Sequence, residues 1–191
     1  MKNTVAILLF VMTALGCQSG PPRKISNRGI LENIDAPLNL KFRGEVYEAK
    51  YSASDGKQAI VEYYRPGAGP KSWKTMLGLR LDEINPDSLG QVTSMRRMLE
   101  AQGNHAVRTY QSTNGHGVEF MLTTHGRQEL DVFRYLNRTN GTVSLQYVEV
   151  IPFKQLAALD VGQVKDLYVT LRSNAVWGLE AMEIPHIEKH R

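Results

Sequence analysis

Alternating apolar and polar residues, the pattern of strands that are half buried in a sheet, begin near Leu40 and recur along most of the chain. Two alternating runs, KFRGEVYEAKYSAS and KQAIVEYYRPG, flank Asp55-Gly56. This dipeptide accepts the positive φ angles of a tight hairpin turn. A loop rich in proline and glycine then leads into KTMLGLRL, which has the composition of a third strand. The pattern therefore predicts three strands in the first part of the folded domain.

The pattern then changes to the spacing of an amphipathic helix. Pro86 disfavours helical structure in the residue before it, and Asp87 or Ser88 can accept hydrogen bonds from the free amides of the first turn. Four apolar residues recur on one face of this helix: Leu89, Val92, Met95 and Leu99. Gly103 is predicted to end it.

Four further β runs and a second helix complete the pattern. The runs are AVRTYQS, GVEFMLTT, RQELDVFRYLN and TVSLQYVEVI, and Asn140-Gly141 between the last two is the strongest turn signal in the chain. The second helix is predicted to begin near Asp160, with Gln163 as its capping-box partner, and to end before Pro185. Its apolar stripe consists of Val164, Leu167, Tyr168, Leu171 and Ala175.

The element order βββ-α-ββββ-α predicts the fold class α+β, an antiparallel β-sheet of about six to seven strands with two main helices packed on it. The 191 residues suit one domain, which we place at residues 38–184, followed by a charged tail at 185–191. The formal net charge of +4 is small and evenly scattered. Nucleic-acid binders carry a concentrated basic face, so this class of partner is excluded.

A different pattern occupies the N-terminus. Lys2 precedes an apolar run at residues 4–15, TVAILLFVMTAL, which has the length of a signal-peptide core and is shorter than the roughly 20 residues that span a bilayer. The run ends in Ala14-Leu15-Gly16-Cys17, which contains the only cysteine in the chain. Two alternatives stay open at this point: an ordinary signal peptide in which Cys17 is incidental, or an N-terminal helix that is retained.

The segment at Cys17 resembles the lipobox of bacterial lipoproteins. The resemblance implies acylation of the Cys17 sulfur, with palmitate among the acyl chains, and cleavage on its N-terminal side. Residues 1–16 are then the signal peptide, and residues 17–37 are the lipid-anchored N-terminus and tether. Gln18 in place of an aspartate implies sorting to the outer membrane of a Gram-negative host, facing the periplasm. The piece ILENIDAPL, at the end of the tether, has apolar residues at helical spacing. The alternative to a free tether is therefore that this piece docks on the domain.

The stretch VEYYRPGAGPKSWKTML carries a second resemblance. A strand, a proline and glycine loop, and Trp73 at the start of the next strand, followed by a helix and an antiparallel meander, look like the PsbP-like sandwich. Proteins of that shape mostly act as binding or assembly modules, although a fold does not by itself fix a function. We interpret Trp73 as a core aromatic residue rather than a ligand platform.

The candidates for chemistry are His116, Glu119 and His125, because histidine and carboxylate side chains bind zinc and exchange protons. Within one strand His116 and Glu119 face opposite sides, so they converge only where the chain bends at Gly115 or Gly117. His186 and His190 have i, i+4 spacing but lie in the charged tail, which we expect to be disordered.

A further group of arginine and aromatic residues lies on the last hairpin, where packing within the sheet is favoured over a basic aromatic surface: Phe133, Arg134, Tyr135, Arg138 and Tyr147. The common nucleophile-elbow, zinc-protease and phosphate-loop motifs are missing from the sequence.

These patterns predict an envelope lipoprotein that is held to the membrane through its N-terminal lipid and acts as a non-catalytic binding or assembly module. An envelope protein is the expected partner, and no cofactor is predicted. The alternative is a periplasmic enzyme or metal-binding protein that uses His116, Glu119 and His125.

Overall fold

The computed structural model describes residues 31, 33–55, 57–104, 106–124 and 126–189. Within this part of the chain the strands are β1 (Ile34–Asp35), β2 (Asn39–Phe42), β3 (Glu45–Ser54), β4 (Gln58–Tyr64), β5 (Thr75–Asp82), β6 (Arg108–Ser112), β7 (Gly115–Thr124), β8 (Arg127–Arg138), β9 (Gly141–Pro152) and β10 (Glu188–Lys189). The helices described are α1 (Ser88–Ala101), α2 (Phe153–Leu156) and α3 (Val161–Ala181).

Eight of these strands form one antiparallel sheet in the order β2-β3-β4-β5-β9-β8-β7-β6. Two four-stranded meanders, β2 to β5 and β6 to β9, are joined side by side where β5 pairs with β9. The register at this seam runs from Thr75 opposite Glu149 to Asp82 opposite Thr142. Because the joining strands are the last of each meander, β2 and β6 become the two edges of the sheet.

The two longer helices cover opposite faces of the sheet. Helix α1 packs through Val92 and Leu99 against Val118 and Phe133, on what we call the α1 face. Helix α3 packs against the other face, the α3 face, where the largest apolar cluster lies. Members of that cluster from the strands include Leu40, Phe42, Tyr47, Val61, Tyr63, Leu77, Leu79, Leu130, Val132, Val143, Leu145 and Tyr147. The domain is therefore a three-layer arrangement with a sheet buried on both faces.

Both helix starts are built as the sequence predicts. The Asp87 carboxylate accepts hydrogen bonds from the amides of Leu89 and Gly90 at the start of α1. Asp160 and Gln163 form a reciprocal capping box at the start of α3. Leu89 is 52% exposed, so it does not belong to the buried stripe in which we expected it.

The α+β class is confirmed, whereas the predicted count of six to seven strands is too low for the described residues, which show an eight-stranded sheet and a small second sheet. Two main helices are present as expected, with the four-residue α2 in addition. The alternating pattern predicts one strand from Lys41 onwards, but the chain turns back at Arg43 and Gly44, which have φ angles of 52° and 83°. Arginine seldom adopts a positive φ, so Arg43-Gly44 is not one of the dipeptides that indicate a tight hairpin turn.

The folded domain extends beyond residues 38–184 at both ends. Strand β1 pairs with β10, and Ile34 and Ile187 are buried in the main core. The Nζ of Lys189 lies 2.9 Å from a carboxylate oxygen of Glu83. The end of the predicted tether thus docks on the domain, and the tail is ordered as far as Lys189 instead of disordered. Cys17 and His190 lie outside the described residues.

Candidate functional site

The structure does not bring His116 and Glu119 together. His116 lies on the α1 face, where its Nδ1 is 2.9 Å from the hydroxyl oxygen of Ser88 at the start of α1. Glu119 lies on the α3 face and pairs with Arg172 of α3, whose Nε donates to Oε1 at 2.6 Å. His125 lies outside the described residues. Gly115 and Gly117 stay in the regular ladder of β7, so the chain does not bend as a shared site requires.

In the described part of the chain, no three His, Cys, Asp or Glu side chains are grouped so that they could hold a metal ion. His116 and Glu119 each tie a helix to β7, one on either face of the sheet. We therefore assign both side chains to the packing of the helices.

A groove of about 410 Å³ lies between β2 and the C-terminal end of α3. Its β2 wall includes Asn39 and Lys41, with Arg43 of the following turn, and its opposite wall includes Trp177 and Glu183. The groove follows the edge of the sheet, since β2 pairs with β3 on one side only. We refer to it as the edge groove.

The floor of the edge groove depends on a close approach of helix and strand at Gly178. A Cβ atom at this position would lie 2.6 Å from a ring carbon of Phe42, closer than real side chains come. The Phe42 ring in turn stacks on Tyr147, with 4.7 Å between the ring centroids. Gly178 therefore allows α3 to lie directly on β2 and fixes the depth of the groove.

The helical wall is held by Arg134 of β8, a buried side chain. Its Nη1 donates to the carbonyl oxygens of Leu179 at 2.8 Å and Met182 at 3.1 Å, at the C-terminal end of α3, where the Leu179 carbonyl also accepts from the amide of Met182. Its Nε donates to the hydroxyl of Ser112 at 2.8 Å. The arginine therefore fixes the last turn of α3, beside Trp177, to the sheet.

The β2 wall presents backbone hydrogen-bonding groups. The amide of Ala49 donates to the carbonyl of Leu38 at 2.9 Å, and Phe42 is paired with Glu45 across the two-residue turn. Hydrogen-bonded residues alternate along an antiparallel ladder, so the N–H and C=O groups of Asn39 and Lys41 point away from β3. Among the described residues these groups have no backbone partner.

The side chains of the groove combine an apolar anchor with charge. Trp177 is 68% exposed, which is unusual for the largest apolar side chain. Lys41 and Arg43 carry positive charge and Glu183 carries negative charge, and none of the three has an ion pair within the described part of the chain. The groove can therefore supply an aromatic surface, free strand hydrogen bonds and a net positive rim.

A second polar feature lies on the α1 face and is separate from the edge groove. Arg80 Nη2 donates to Gln146 Oε1 at 2.9 Å, and Gln146 Nε2 donates to Asp131 Oδ1 at 2.9 Å. Nearby on the same face, the Tyr64 hydroxyl donates to Glu62 Oε2 at 2.5 Å. We call these five residues the buried polar row.

Burial is the largest influence on the pKa values of the two carboxyl groups in the buried polar row. It raises the pKa of Asp131 to about 7, against the opposing hydrogen bond from Gln146, and it also raises the pKa of Glu62. One oxygen of each carboxylate has no hydrogen-bond partner among the described residues. None of the row lines the edge groove, and we interpret the row as part of the packed sheet.

The edge groove is not predicted by the sequence pattern, although one signal of it is present. Trp177 follows the apolar stripe of the second helix but lies off its face, at a position where a polar residue is expected. The residues of the last hairpin that were expected to pack within the sheet mostly do so. Buried members are Phe133, Arg134, Tyr135 and Tyr147, whereas Arg138 is exposed. Trp73 packs beside Tyr64 and under the guanidinium of Arg127, which is 5.5 Å from its ring centroid.

The fold and the groove define a class: a three-layer α+β domain with an antiparallel sheet, one edge of which borders a groove with an exposed tryptophan. A protein-family model matches residues 34–167, which is more than half of the chain, and the chain belongs to that family. The match states no activity, ligand or partner, and Trp177 lies outside the matched range. Neither the curated proteins nor the solved structures include a match to the chain.

Proposed function

We propose that the protein is a lipid-anchored envelope protein that binds a partner through the edge groove and is not an enzyme. The observation that carries the binding role is Trp177, a large aromatic side chain that stays exposed in a preformed concave surface. Aromatic residues in such positions supply much of the binding energy at protein interfaces.

Rigid walls support this role. Gly178 and Arg134 hold the helix end against the sheet, so the groove exists before a partner arrives. A preformed surface loses less conformational entropy on binding than a flexible one. The separation of His116 from Glu119 leaves the alternative of an enzyme or metal-binding protein without support from the described residues.

The anchor rests on the sequence at Cys17. None of the helices in the described ranges is long and apolar enough to cross a membrane. Attachment through acyl chains on Cys17 would instead hold the domain at the surface of the outer membrane, with the periplasm as the compartment of its partner. We also propose the PsbP-like relationship that the sequence suggests. The three-layer arrangement is compatible with it.

Mass spectrometry of the native protein tests the anchor. We expect a first residue at Cys17 that carries acyl chains, and we expect Cys17→Ser to move the protein from the membrane fraction to the soluble fraction. A mature chain that starts at Met1, or an unmodified Cys17 thiol, would contradict the proposal.

Site-specific crosslinking in the intact envelope tests the binding role. A photoreactive amino acid replaces Ala181, an exposed residue of the edge groove, and the control places it at Leu89, an exposed residue of α1. We expect an envelope protein to be crosslinked from position 181 only, and Trp177→Ala to reduce the yield by about tenfold. Equal crosslinking from both positions, or none from 181, would argue against the groove as a binding site.

A further inference from the structure

We infer that the partner of the edge groove is an extended peptide segment that adds a strand to β2, with an acidic side chain opposite Lys41 and an apolar side chain against Trp177. This inference rests on the proposed function and specifies the chemistry of the partner. It follows from three independent properties of the groove, which are its backbone groups, its shape and its charge.

The backbone groups of β2 are arranged to pair with another strand. Asn39 and Lys41 direct their N–H and C=O groups away from β3 and towards the outer side of the sheet. An extended peptide satisfies such groups in the manner of a further strand, and main-chain hydrogen bonds then provide affinity for many side-chain sequences.

The shape of the groove confines the added strand to one path. The end of α3 lies beside β2 because Gly178 contacts Phe42 directly, and Trp177 lines the groove from the helix. A strand next to β2 therefore runs between the sheet edge and the indole ring. Side chains alternate between the two faces of a strand, so every second residue of the peptide is presented to the α3 side and to Trp177.

The charge of the groove selects an acidic segment. Lys41 and Arg43 outnumber Glu183 among the charged residues that line it. Opposite charges directly across an antiparallel pair are stabilising, and like charges are destabilising. A peptide with a glutamate or aspartate opposite Lys41 is therefore favoured over a basic one.

The positive charge of the groove also disfavours a second copy of the chain as its occupant. Antiparallel pairing of β2 with β2 of another copy would bring the Lys41 and Arg43 side chains of both copies together at one seam. A lipid surface fits less well than a peptide, because a bilayer cannot provide backbone partners for Asn39 and Lys41 inside a concave groove.

The experiment selects short linear peptides from a phage-displayed library against the full acylated chain in detergent. The binding of each selected peptide is then measured by fluorescence anisotropy, and amide hydrogen exchange is followed with and without peptide. We expect selected sequences that alternate apolar and polar residues and contain an acidic residue. Bound peptide should slow exchange at the amides of Asn39 and Lys41.

Three variants distinguish strand pairing from nonspecific binding of the peptides. Lys41→Pro removes an outward N–H without breaking the ladder to β3, and it should weaken the binding of the peptides by at least about tenfold. Lys41→Thr keeps the N–H and should weaken the binding of acidic peptides only a few-fold. The matched control is Thr109→Pro on the other sheet edge, where the N–H also points outward, and it should leave binding unchanged.

The outcomes distinguish this inference from the proposed function. Peptide binding that Lys41→Pro leaves intact, or a selection without groove-dependent peptides, overturns strand addition. If crosslinking at position 181 persists in the Lys41→Pro variant, the binding role stands and only the strand pairing is wrong. Trp177-dependent binding to vesicles of anionic phospholipid, or dimerisation that Lys41→Pro abolishes, would overturn the inference in favour of a lipid surface or a second copy.

Discussion

The two faces of the central sheet are both buried, yet they are built from different chemistry. The α3 face is a continuous apolar cluster in which Leu79, Val132 and Leu145 are fully excluded from solvent. The α1 face carries the buried polar row, with Glu62, Asp131 and Gln146 almost as deeply buried. The buried charges of the α3 face are tied to the helix, Glu119 by an ion pair with Arg172 and Arg134 by the carbonyls at the end of α3. On the α1 face, Glu62 and Asp131 are desolvated without an ion pair in the described part of the chain, so part of the gain from apolar burial is offset there.

This difference assigns separate roles to the two faces. Stability should depend mainly on the α3 face, and its dependence on pH should arise on the α1 face. The edge groove belongs to the α3 layer, because α3 forms one of its walls. Substitutions on the two faces should therefore change different measurable properties.

The largest expected effect is the loss of an apolar side chain from the α3 face. Leu145→Ala should lower the free energy of unfolding by roughly 4 kcal/mol, since a fully buried leucine is replaced by a cavity. The adjacent Ser144→Ala, whose side chain lies on the α1 face, should change it by less than about 1 kcal/mol. Urea denaturation measures both values, and similar losses in the two variants would contradict the division between the faces.

The next effect is a pH dependence from Asp131. Its pKa is raised by burial from 3.8 to about 7 in the folded state, so between these values the folded protein binds a proton that the unfolded chain does not. Stability should therefore fall as the pH rises from about 4 to 7, by roughly 3 kcal/mol, and change little from this group at higher pH. Glu62 contributes in the same direction, because burial also raises its pKa.

Asp131→Asn tests the assignment of this slope. An asparagine keeps an acceptor for Gln146 Nε2 and cannot ionise, so the loss of stability between pH 4 and 7 should become distinctly smaller. Unfolding midpoints of the Asp131→Asn variant and of the unchanged protein, measured between pH 4 and 7, compare the two slopes. An unchanged slope in the Asp131→Asn variant would mean that the pH dependence arises elsewhere.

The contrast between the faces also explains how far the sequence could predict the fold. Hairpin turns, helix caps and helix periodicity are local signals, and most of the strands and both main helices follow from them. The alternation in β4, where Glu62 lies between Val61 and Tyr63, predicts a strand with one solvated face. Burial of the second face depends on distant parts of the chain, so the pattern within β4 could not reveal it.

The edge groove shows the same limit. The position of Trp177 off the apolar stripe indicates exposure, but its place in a groove follows only from the packing of α3 on the sheet. The β2 strand is an edge of the whole sheet because the two meanders join through β5 and β9. The hairpin at Arg43 was hidden because arginine is an uncommon residue at positive φ. Non-local pairing, rather than local propensity, therefore decides where the groove lies.

A smaller effect is expected from the ion pair that joins α3 to β7. Arg172→Met leaves the buried Glu119 carboxylate without its cation, and we expect a loss of roughly 2 kcal/mol. The pair Arg172→Met and Glu119→Gln should recover part of this loss, because the second change removes the unpaired charge. Thermal unfolding of the single and double variants measures the recovery, and a double variant less stable than Arg172→Met would refute this explanation.

The smallest effect compares the helix caps of the two layers. Asp160→Ala removes the capping box of α3, and Asp87→Ala removes the cap of α1, so each should cost roughly 1 kcal/mol. The far end of α3 is held independently by Arg134, which keeps Trp177 in place. Amide exchange should therefore accelerate in the first turn of α3 in the Asp160→Ala variant while peptide binding to the edge groove stays unchanged. Weakened binding in this variant, but not in Asp87→Ala, would show that the groove depends on the whole length of α3 and that Arg134 alone does not secure its wall.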